Sequence, residues 1–276
     1  MNTLYTFGDS YTQGHHALEN YPAYDKFKEY RGGKLFDLWP TLLANRLGMD
    51  LENHGWAGAC NEQVFSRVCN HCYKFKKGDI VIVNWTYPTR FPWANEKWNE
   101  YMTIHGGPMD IITEHTRKEI LINRFHSRYV KTLYEYEKII DKLAEAIGFD
   151  IYFWSADNTI IYNLPKDEKK QRKYIINDLI SKGETIFYEV FRRGGKTIRQ
   201  ESNKTIDDTH LGESGHKIQY ELFYSYITNS EYPNDTYVEL DYNENPHLEK
   251  HNDPVRINKH ELKPDFNKII NRWKIC

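Results

Sequence analysis

The sequence has few cysteines, no long hydrophobic run and no excess of charge of one sign. Its 276 residues include only 4 cysteines, which is too few for a disulfide scaffold. No stretch reaches the roughly 20 consecutive apolar residues that a membrane-spanning helix needs. The N-terminus shows no basic segment followed by an apolar one, so no signal peptide is indicated. These features predict a cytoplasmic protein with reduced thiols that does not bind a membrane.

The charge balance argues against a nucleic-acid partner. The chain carries 37 Lys and Arg residues against 39 Asp and Glu residues, for a net charge of -2. Such a chain has no overall electrostatic attraction to polyanions. The composition, 39% hydrophobic and 28% charged, is typical of a folded protein and leaves room for one substantial domain.

One cysteine pair has the C-x-x-C spacing of some zinc sites. Cys69 and Cys72 flank Asn70-His71, and Cys60 with either His54 or His71 could in principle complete a site. A structural zinc site needs four ligands, however, and the sequence contains no second C-x-x-C pair. The segment also has helical spacing of its apolar residues, so we expect buried or half-buried thiols, no metal and no cofactor.

Predicted strands and helices alternate along the chain. Ile80-Val81-Ile82-Val83 is a continuous β-branched run, typical of a strand buried on both faces of a parallel sheet. Other strands are predicted over 3–7, 50–53 and 150–155, and helices over 38–47, 61–74, 117–147, 213–227 and a stretch ending near 182. This order favours an α/β domain with a mainly parallel sheet.

Two regions depart from that alternation. Residues 88–116 lack periodicity and contain Pro88, Pro92 and Pro108, which predicts a long loop inserted into the domain. After Asn229 the chain becomes rich in Asn, Asp, Pro, Tyr and His. We therefore divide the chain into an α/β domain over 1–229 and a C-terminal extension or arm over 230–276. The arm is a candidate surface for a protein partner or for self-association.

Two distant motifs carry the residue types of nucleophilic catalysis. Gly8-Asp9-Ser10 follows the first predicted strand directly, and Asp207-Asp208-Thr209-His210 precedes the last predicted helix. A serine hydroxyl becomes a good nucleophile when an imidazole accepts its proton and a carboxylate orients that imidazole. The carboxyl ends of parallel strands share one sheet edge, so we expect Ser10 to meet His210 there. The three-residue spacing favours Asp207 as the orienting acid, with Asp208 as the alternative.

Together these motifs resemble those of the SGNH/GDSL hydrolases, over roughly residues 3–228. The resemblance implies a three-layer α/β/α, flavodoxin-like fold and an esterase or lipase activity. It also implies that Ser10 is the nucleophile, that His210 is the base and that Asp207 orients His210.

The family also has two blocks that bind the oxyanion. The stretch from Asn53 to Asn61 looks like the first block, with Gly58 as the matching residue beside the Ser10 amide. The second block is a Gly-x-Asn motif, but here the third strand runs into Asn84-Trp85-Thr86. Thr86 takes the position of the missing asparagine. Asn84 could replace it only if the loop is shifted, and Arg90 could supply a positive charge instead.

The sequence therefore predicts a serine esterase that acts on a small acyl ester. An O-acetyl group on a carbohydrate is one candidate, because Trp85, Trp93 and Trp98 could form flat platforms for a sugar. The alternative is a non-catalytic binding or assembly component on the same scaffold. The missing Gly-x-Asn block favours that alternative, and the retained serine, histidine and acid oppose it.

Overall fold

The computed structural model of the protein describes most of the α/β domain and a few residues of the extension. All structural statements below concern the residues that it describes: 1–14, 24–86, 90–94, 101–104, 127–155, 175, 185–232, 237, 238 and 240.

A parallel four-stranded sheet forms the centre of the molecule. Its strands are β1 (Thr3–Gly8), β2 (Asp50–Gly55), β3 (Ile80–Trp85) and β6 (Asp150–Ser155). Two further strands, β4 (Phe91–Ala94) and β5 (Tyr101–Ile104), form a separate two-stranded sheet. In the main sheet the order is β2-β1-β3-β6, and every neighbouring pair is parallel. In register, Leu4 of β1 lies between Leu51 and Ile80. The prediction of an α/β fold with a mainly parallel sheet is confirmed.

Helices connect and follow the strands along the chain. They are α1 (Ser10–Gln13), α2 (Tyr24–Tyr30), α3 (Trp39–Leu47), α4 (Asn61–His71), α5 (Ser127–Ile147), α6 (Ile186–Arg192), α7 (Ile198–Glu201) and α8 (Glu213–Thr228). Each of the longer helices buries one apolar face, as expected for elements that cover a sheet.

Helices cover both faces of the sheet and create two hydrophobic cores. On one face, α4 and α5 pack against β1, β3 and β6, with Val68, Ile140 and Phe153 among the buried contacts. On the other face, α3, α6 and α8 enclose Trp39 and Phe223 at the centre of an aromatic cluster. The result is the three-layer α/β/α arrangement that the resemblance implies.

The region predicted as a long loop contains a β-hairpin. β4 and β5 pair antiparallel, with Phe91 opposite Ile104, so the loop prediction for 88–116 was wrong over these residues. A four-residue strand that holds Pro92 gives too short a periodic pattern for recognition from sequence. α6 was also not predicted. Apart from residue 175, the helix expected to end near 182 lies outside the described residues, as do the first residues of the one expected over 117–147.

The first residues of the C-terminal extension contact the α/β domain. The Val238 amide donates to the Arg192 carbonyl oxygen at 2.8 Å, and the Tyr232 hydroxyl donates to Glu221 at 3.1 Å. The Arg193 guanidinium lies 3.9 Å from the centre of the Tyr232 ring, which is a cation–π contact. These contacts hold the start of the extension against α6 and α8. The separate role predicted for 230–276 stays a prediction.

The sheet order creates a switch point beside β1. The chain leaves β1 toward β2 on one side, then crosses back to β3 on the other side and continues to β6. In open α/β sheets such a reversal opens a crevice at the carboxyl ends of the two central strands. Ser10 follows β1 and Thr86 follows β3, so both lie at this crevice. None of the described helices is long and apolar enough to cross a membrane.

Candidate active site

A tight turn presents Ser10 at the end of β1. β1 ends at Gly8, and α1 begins at Ser10 with Asp9 as its N-cap. Gly8 is needed because a Cβ there would lie 2.3 Å from Thr12 Oγ1 and 2.7 Å from Asn84 Cβ. The absence of a side chain therefore lets α1 fold back against β1 and β2, which fixes Ser10 at the sheet edge.

Ser10, His210 and Asp208 form a continuous hydrogen-bonded chain. Ser10 Oγ lies 2.8 Å from His210 Nε2, and His210 Nδ1 lies 2.7 Å from Asp208 Oδ1. The Asp208 side chain is 2% exposed and that of His210 is 21% exposed. The Tyr11 ring packs against the imidazole with 4.9 Å between ring centres. The serine is thus buried, whereas the imidazole keeps an edge toward solvent.

The hydrogen-bond partners fix the tautomer of His210. An ionised carboxylate only accepts hydrogen bonds, so Nδ1 must carry the proton that faces Asp208. In a neutral imidazole, Nε2 is then the unprotonated nitrogen and accepts from the Ser10 hydroxyl. This is the arrangement in which an imidazole can remove a proton from a serine.

The structure corrects the choice of acid. Asp207 is 87% exposed, and its carboxylate lies 3.6 Å from Arg199 Nε on the surface. Asp208 Oδ1 accepts both the His210 backbone amide, at 2.9 Å, and the imidazole. An aspartate two residues before an amide closes a local side-chain-to-backbone turn, and that turn places the carboxylate beside the histidine ring. The two-residue spacing, not the three-residue spacing, was the signal to use.

Backbone pairing holds this loop in place. Residues 208–212 run beside residues 196–199, where the Ile198 amide donates to the His210 carbonyl at 2.9 Å and the Arg199 amide donates to the Asp208 carbonyl at 2.8 Å. The Glu201 carboxylate then accepts the amides of Glu213 and Ser214, each at 2.8 Å, at the start of α8. The loop is therefore fixed at both ends.

Gly58 lies on the loop that follows β2. The Trp56 amide donates to the Gly8 carbonyl at 2.9 Å, and the Ala57 amide donates to Gln13 Oε1 at 2.6 Å. These bonds hold the loop against α1, whose first residue is Ser10. Gly58 has φ +79°, a left-handed conformation that favours glycine. The structure thus brings the Gly58 loop beside the Ser10 helix.

Thr86 does not match its predicted role. Its hydroxyl donates to Asp9 Oδ2 at 2.8 Å, and its amide donates to Asn61 Oδ1 at 2.7 Å. The residue is fully buried. Both of its donors are therefore engaged within the protein, which corrects the expectation that Thr86 binds an oxyanion. Asn84 is likewise turned toward Asp9, with Nδ2 at 3.0 Å from Oδ1.

Two cysteines and two histidines lie on α4 or next to it. Cys69 and Cys72 are free and partly buried, and burial together with the neighbouring Cys72 raises the pKa of Cys69. The His54 and His71 rings contact each other with 3.9 Å between their centres and a tilt of 40° between their planes. Burial, and then the charge of His71, lowers the pKa of His54. Within the described part of the chain, no group of three or more His, Cys, Asp or Glu residues is arranged to hold a metal ion.

Trp85 is part of the core and not a platform for substrate. Its side chain is fully buried between β3 and α5, where the indole Nε1 donates to Glu137 Oε1 at 2.8 Å. The side chain of Trp93 and all of Trp98 lie outside the described residues. Trp56, which was not singled out from sequence, is 53% exposed on the loop after β2.

Comparison with known proteins shows a distant likeness in fold. No protein-family model matches the sequence, and no curated protein is significantly similar to it. One similar solved structure is a G-D-S-L family protein from Desulfitobacterium hafniense DCB-2, at 12% identity and a TM-score of 0.42, over 82% of this chain and 99% of that chain. Another is protein YxiM of Bacillus subtilis, at 14% identity and a TM-score of 0.40, over 83% of this chain and 56% of that chain.

Proposed function

We propose that this protein is a serine hydrolase that cleaves a small acyl ester with Ser10, His210 and Asp208. One observation carries the proposal: Ser10 Oγ, His210 and the Asp208 carboxylate are joined by bonds of 2.8 and 2.7 Å. This geometry matches a nucleophile, a base and an orienting acid in the required order.

The reaction follows from the tautomer of His210. Ser10 Oγ attacks the ester carbonyl carbon while Nε2 takes the hydroxyl proton, and the carbonyl electron pair moves onto the carbonyl oxygen. Collapse of this intermediate expels the alcohol, which receives the proton from Nε2. Water then attacks the acyl-serine with His210 again as the base, so the acid is released and Ser10 regains its proton. Asp208 stabilises the imidazolium in both steps.

The oxyanion needs donors at the same crevice. The Ser10 amide, at the first position of α1, and the Gly58 amide are the proposed donors. Helix starts and glycine turns suit this role because their amides are not used within an element. Thr86 is not included, because its hydroxyl and its amide already donate to Asp9 and Asn61.

The test is ester hydrolysis by the wild-type protein and a Ser10→Ala variant. A panel of short-chain p-nitrophenyl esters and acetylated sugars would be assayed with both proteins. We expect turnover of at least one short ester by the wild type and none above background by the variant, with unchanged circular dichroism. The panel also identifies the acyl and alcohol groups, for which an O-acetylated carbohydrate is the candidate. Equal rates for the two proteins would remove Ser10 from the mechanism.

A non-catalytic binding role is the second candidate. The engagement of Thr86 with Asp9 favours it, because that position does not contribute an oxyanion donor. The hydrogen-bonded chain from Ser10 to Asp208 opposes it, because binding alone does not require an activated serine. In that case the wild-type protein would bind acetylated sugars, as measured by calorimetry, without releasing acetate.

A further inference from the structure

The carboxylate of Asp9 is the second buried acid at the candidate site. The residue is fully buried and directly precedes Ser10 in the chain. Its two oxygens accept four hydrogen bonds from donors on three segments: Tyr11 N at 3.1 Å, Asn84 Nδ2 at 3.0 Å, Thr86 Oγ1 at 2.8 Å and Arg90 Nη1 at 2.6 Å. The proposed reaction gives this carboxylate no role.

The position of Asp9 raises an electrostatic problem. Attack by Ser10 places a negative charge on the substrate oxygen, and a bare carboxylate one residue away would oppose it. Charges interact strongly in a buried, low-dielectric environment. The neutral donors of Asn84 and Thr86 solvate the carboxylate but leave its charge in place. Arg90, whose side chain is 13% exposed, is the cation that pairs with it.

Arg90 also sets the direction of a hydrogen bond. Its Nη1 lies 2.7 Å from Thr86 Oγ1 as well as 2.6 Å from Asp9 Oδ2. A guanidinium only donates, so Thr86 accepts from Arg90 and must direct its single hydroxyl hydrogen to Asp9. Asp9 in turn accepts from the Tyr11 amide and so caps the helix turn that begins with Ser10.

We propose that Arg90 is a positioning residue for the hydrolase site, which neutralises Asp9 beside Ser10 and holds the Ser10 turn in its reactive geometry. The inference rests on the proposed function. It gives the end of β3 and the segment after it a task other than donating to the oxyanion. Asn84, Thr86 and Arg90 bind the Asp9 carboxylate, which caps the turn that carries the nucleophile. Arg90 acts through Asp9 and does not touch the reacting atoms.

The first test replaces the cation by a neutral side chain. In Arg90→Gln we expect kcat for a short ester to fall about 10²-fold while KM stays within about threefold, because orientation and charge at the nucleophile change but substrate contacts do not. The matched control is Arg193→Gln. Arg193 is 9% exposed and pairs with the buried Glu189, but it lies on the α6 side of the domain. The kcat of the Arg193→Gln variant should match that of the wild type.

A double variant separates charge from simple loss of structure. In Asp9→Asn/Arg90→Gln both charges are absent, so the uncompensated anion beside Ser10 is removed. We expect its kcat to exceed that of Arg90→Gln by about tenfold, as coupled residues in one network are not additive. A double variant as slow as Arg90→Gln, or slower, would overturn the charge argument.

Chemical rescue covers the case in which glutamine disturbs folding. Added guanidinium should restore part of the kcat of Arg90→Ala, at concentrations that leave the wild type unaffected, whereas added sodium chloride should not. Wild-type kcat in Arg90→Gln, or no rescue of a folded, slow Arg90→Ala, contradicts the proposal. If the wild type itself shows no Ser10-dependent turnover, the proposed function fails first. If it does and Arg90→Gln keeps the wild-type kcat, only this inference fails.

Discussion

The two sides of Ser10 present two acidic residues in different settings. On one side, Asp208 contacts an imidazole that is partly exposed and lies 2.8 Å from Ser10 Oγ. On the other side, Asp9 is fully buried and bound by four fixed donors, including the Arg90 cation. In the proposed mechanism, similar carboxylates thus have different tasks, since one orients a base and the other holds a backbone turn. The environment, and not the residue type, sets the role.

The two sides also differ in how local their contacts are. Asp208 and His210 are two residues apart, so their pairing depends mainly on one loop. The bonds of Asp9 to Asn84 and Thr86 join residues that are 75 and 77 positions apart. The first side should therefore respond to mutation mainly in activity, and the second in both activity and stability.

The largest loss of kcat should follow from removing the proposed base, His210. We expect His210→Ala to lower kcat about 10⁴-fold or more, because Ser10 then has no group to accept its proton. The double variant Ser10→Ala/His210→Ala should be no slower than either single variant, since the residues act as a unit. Steady-state kinetics with p-nitrophenyl acetate measures this. A further loss in the double variant would show that the two residues act independently.

Replacing Asp207 and Asp208 one at a time tests which of the two acids orients His210. We expect Asp208→Asn to lower kcat about 10³- to 10⁴-fold, because the amide no longer holds the correct tautomer of His210. Asp207→Asn is the matched control and should keep kcat within about twofold, since an exposed ion pair contributes little. The reverse order of effects would restore Asp207 to the role that the sequence suggested.

Substitution of Thr86 tests the hydrogen bonds that hold the Asp9 carboxylate. In Thr86→Val the carboxylate loses one donor, so we expect the free energy of unfolding to fall by about 1–3 kcal/mol while kcat falls less than about tenfold. Thr86→Ser keeps the hydroxyl and should lie closer to the wild type in stability. Urea unfolding and ester kinetics measure the two effects. A loss of about 10²- to 10³-fold in kcat with unchanged stability would instead make Thr86 an oxyanion donor.

The smallest effect is expected away from both sides, at His54. Burial and the charge of His71 lower its pKa below 6.5, whereas Glu52, at 3.1 Å, acts in the opposite direction. The unfolded chain therefore binds a proton at His54 more readily than the folded protein does. As the pH falls below about 6.5, the folded protein loses the corresponding part of its free energy of unfolding. His54→Gln should lose less stability than the wild type between about pH 8 and pH 5, as followed by urea unfolding. If the free energies of unfolding of the two proteins changed in parallel with pH, the expectation would be wrong.

The fold and half of the site could be predicted from sequence for physical reasons. The β-branched run Ile80–Val83 and the position of Ser10 after β1 follow from local patterns, and parallel strands bring their ends to one edge. The choice of Asp208 depended on which of the two carboxylates closes the local turn to the His210 amide, and the two-residue spacing marks that carboxylate. The engagement of Thr86 depended on a partner that is 77 residues away, which no local pattern shows.

The most direct measurement of the central claim is covalent labelling by a fluorophosphonate, followed by intact-mass and peptide mass spectrometry. Such a reagent modifies a serine that an adjacent base has activated. We expect one adduct on the wild-type protein, located at Ser10 and absent from Ser10→Ala. Its formation should be slow in Asp208→Asn and unchanged in Asp207→Asn. An unlabelled wild-type protein, or an adduct that persists in Ser10→Ala, would contradict the assignment of Ser10 as the nucleophile.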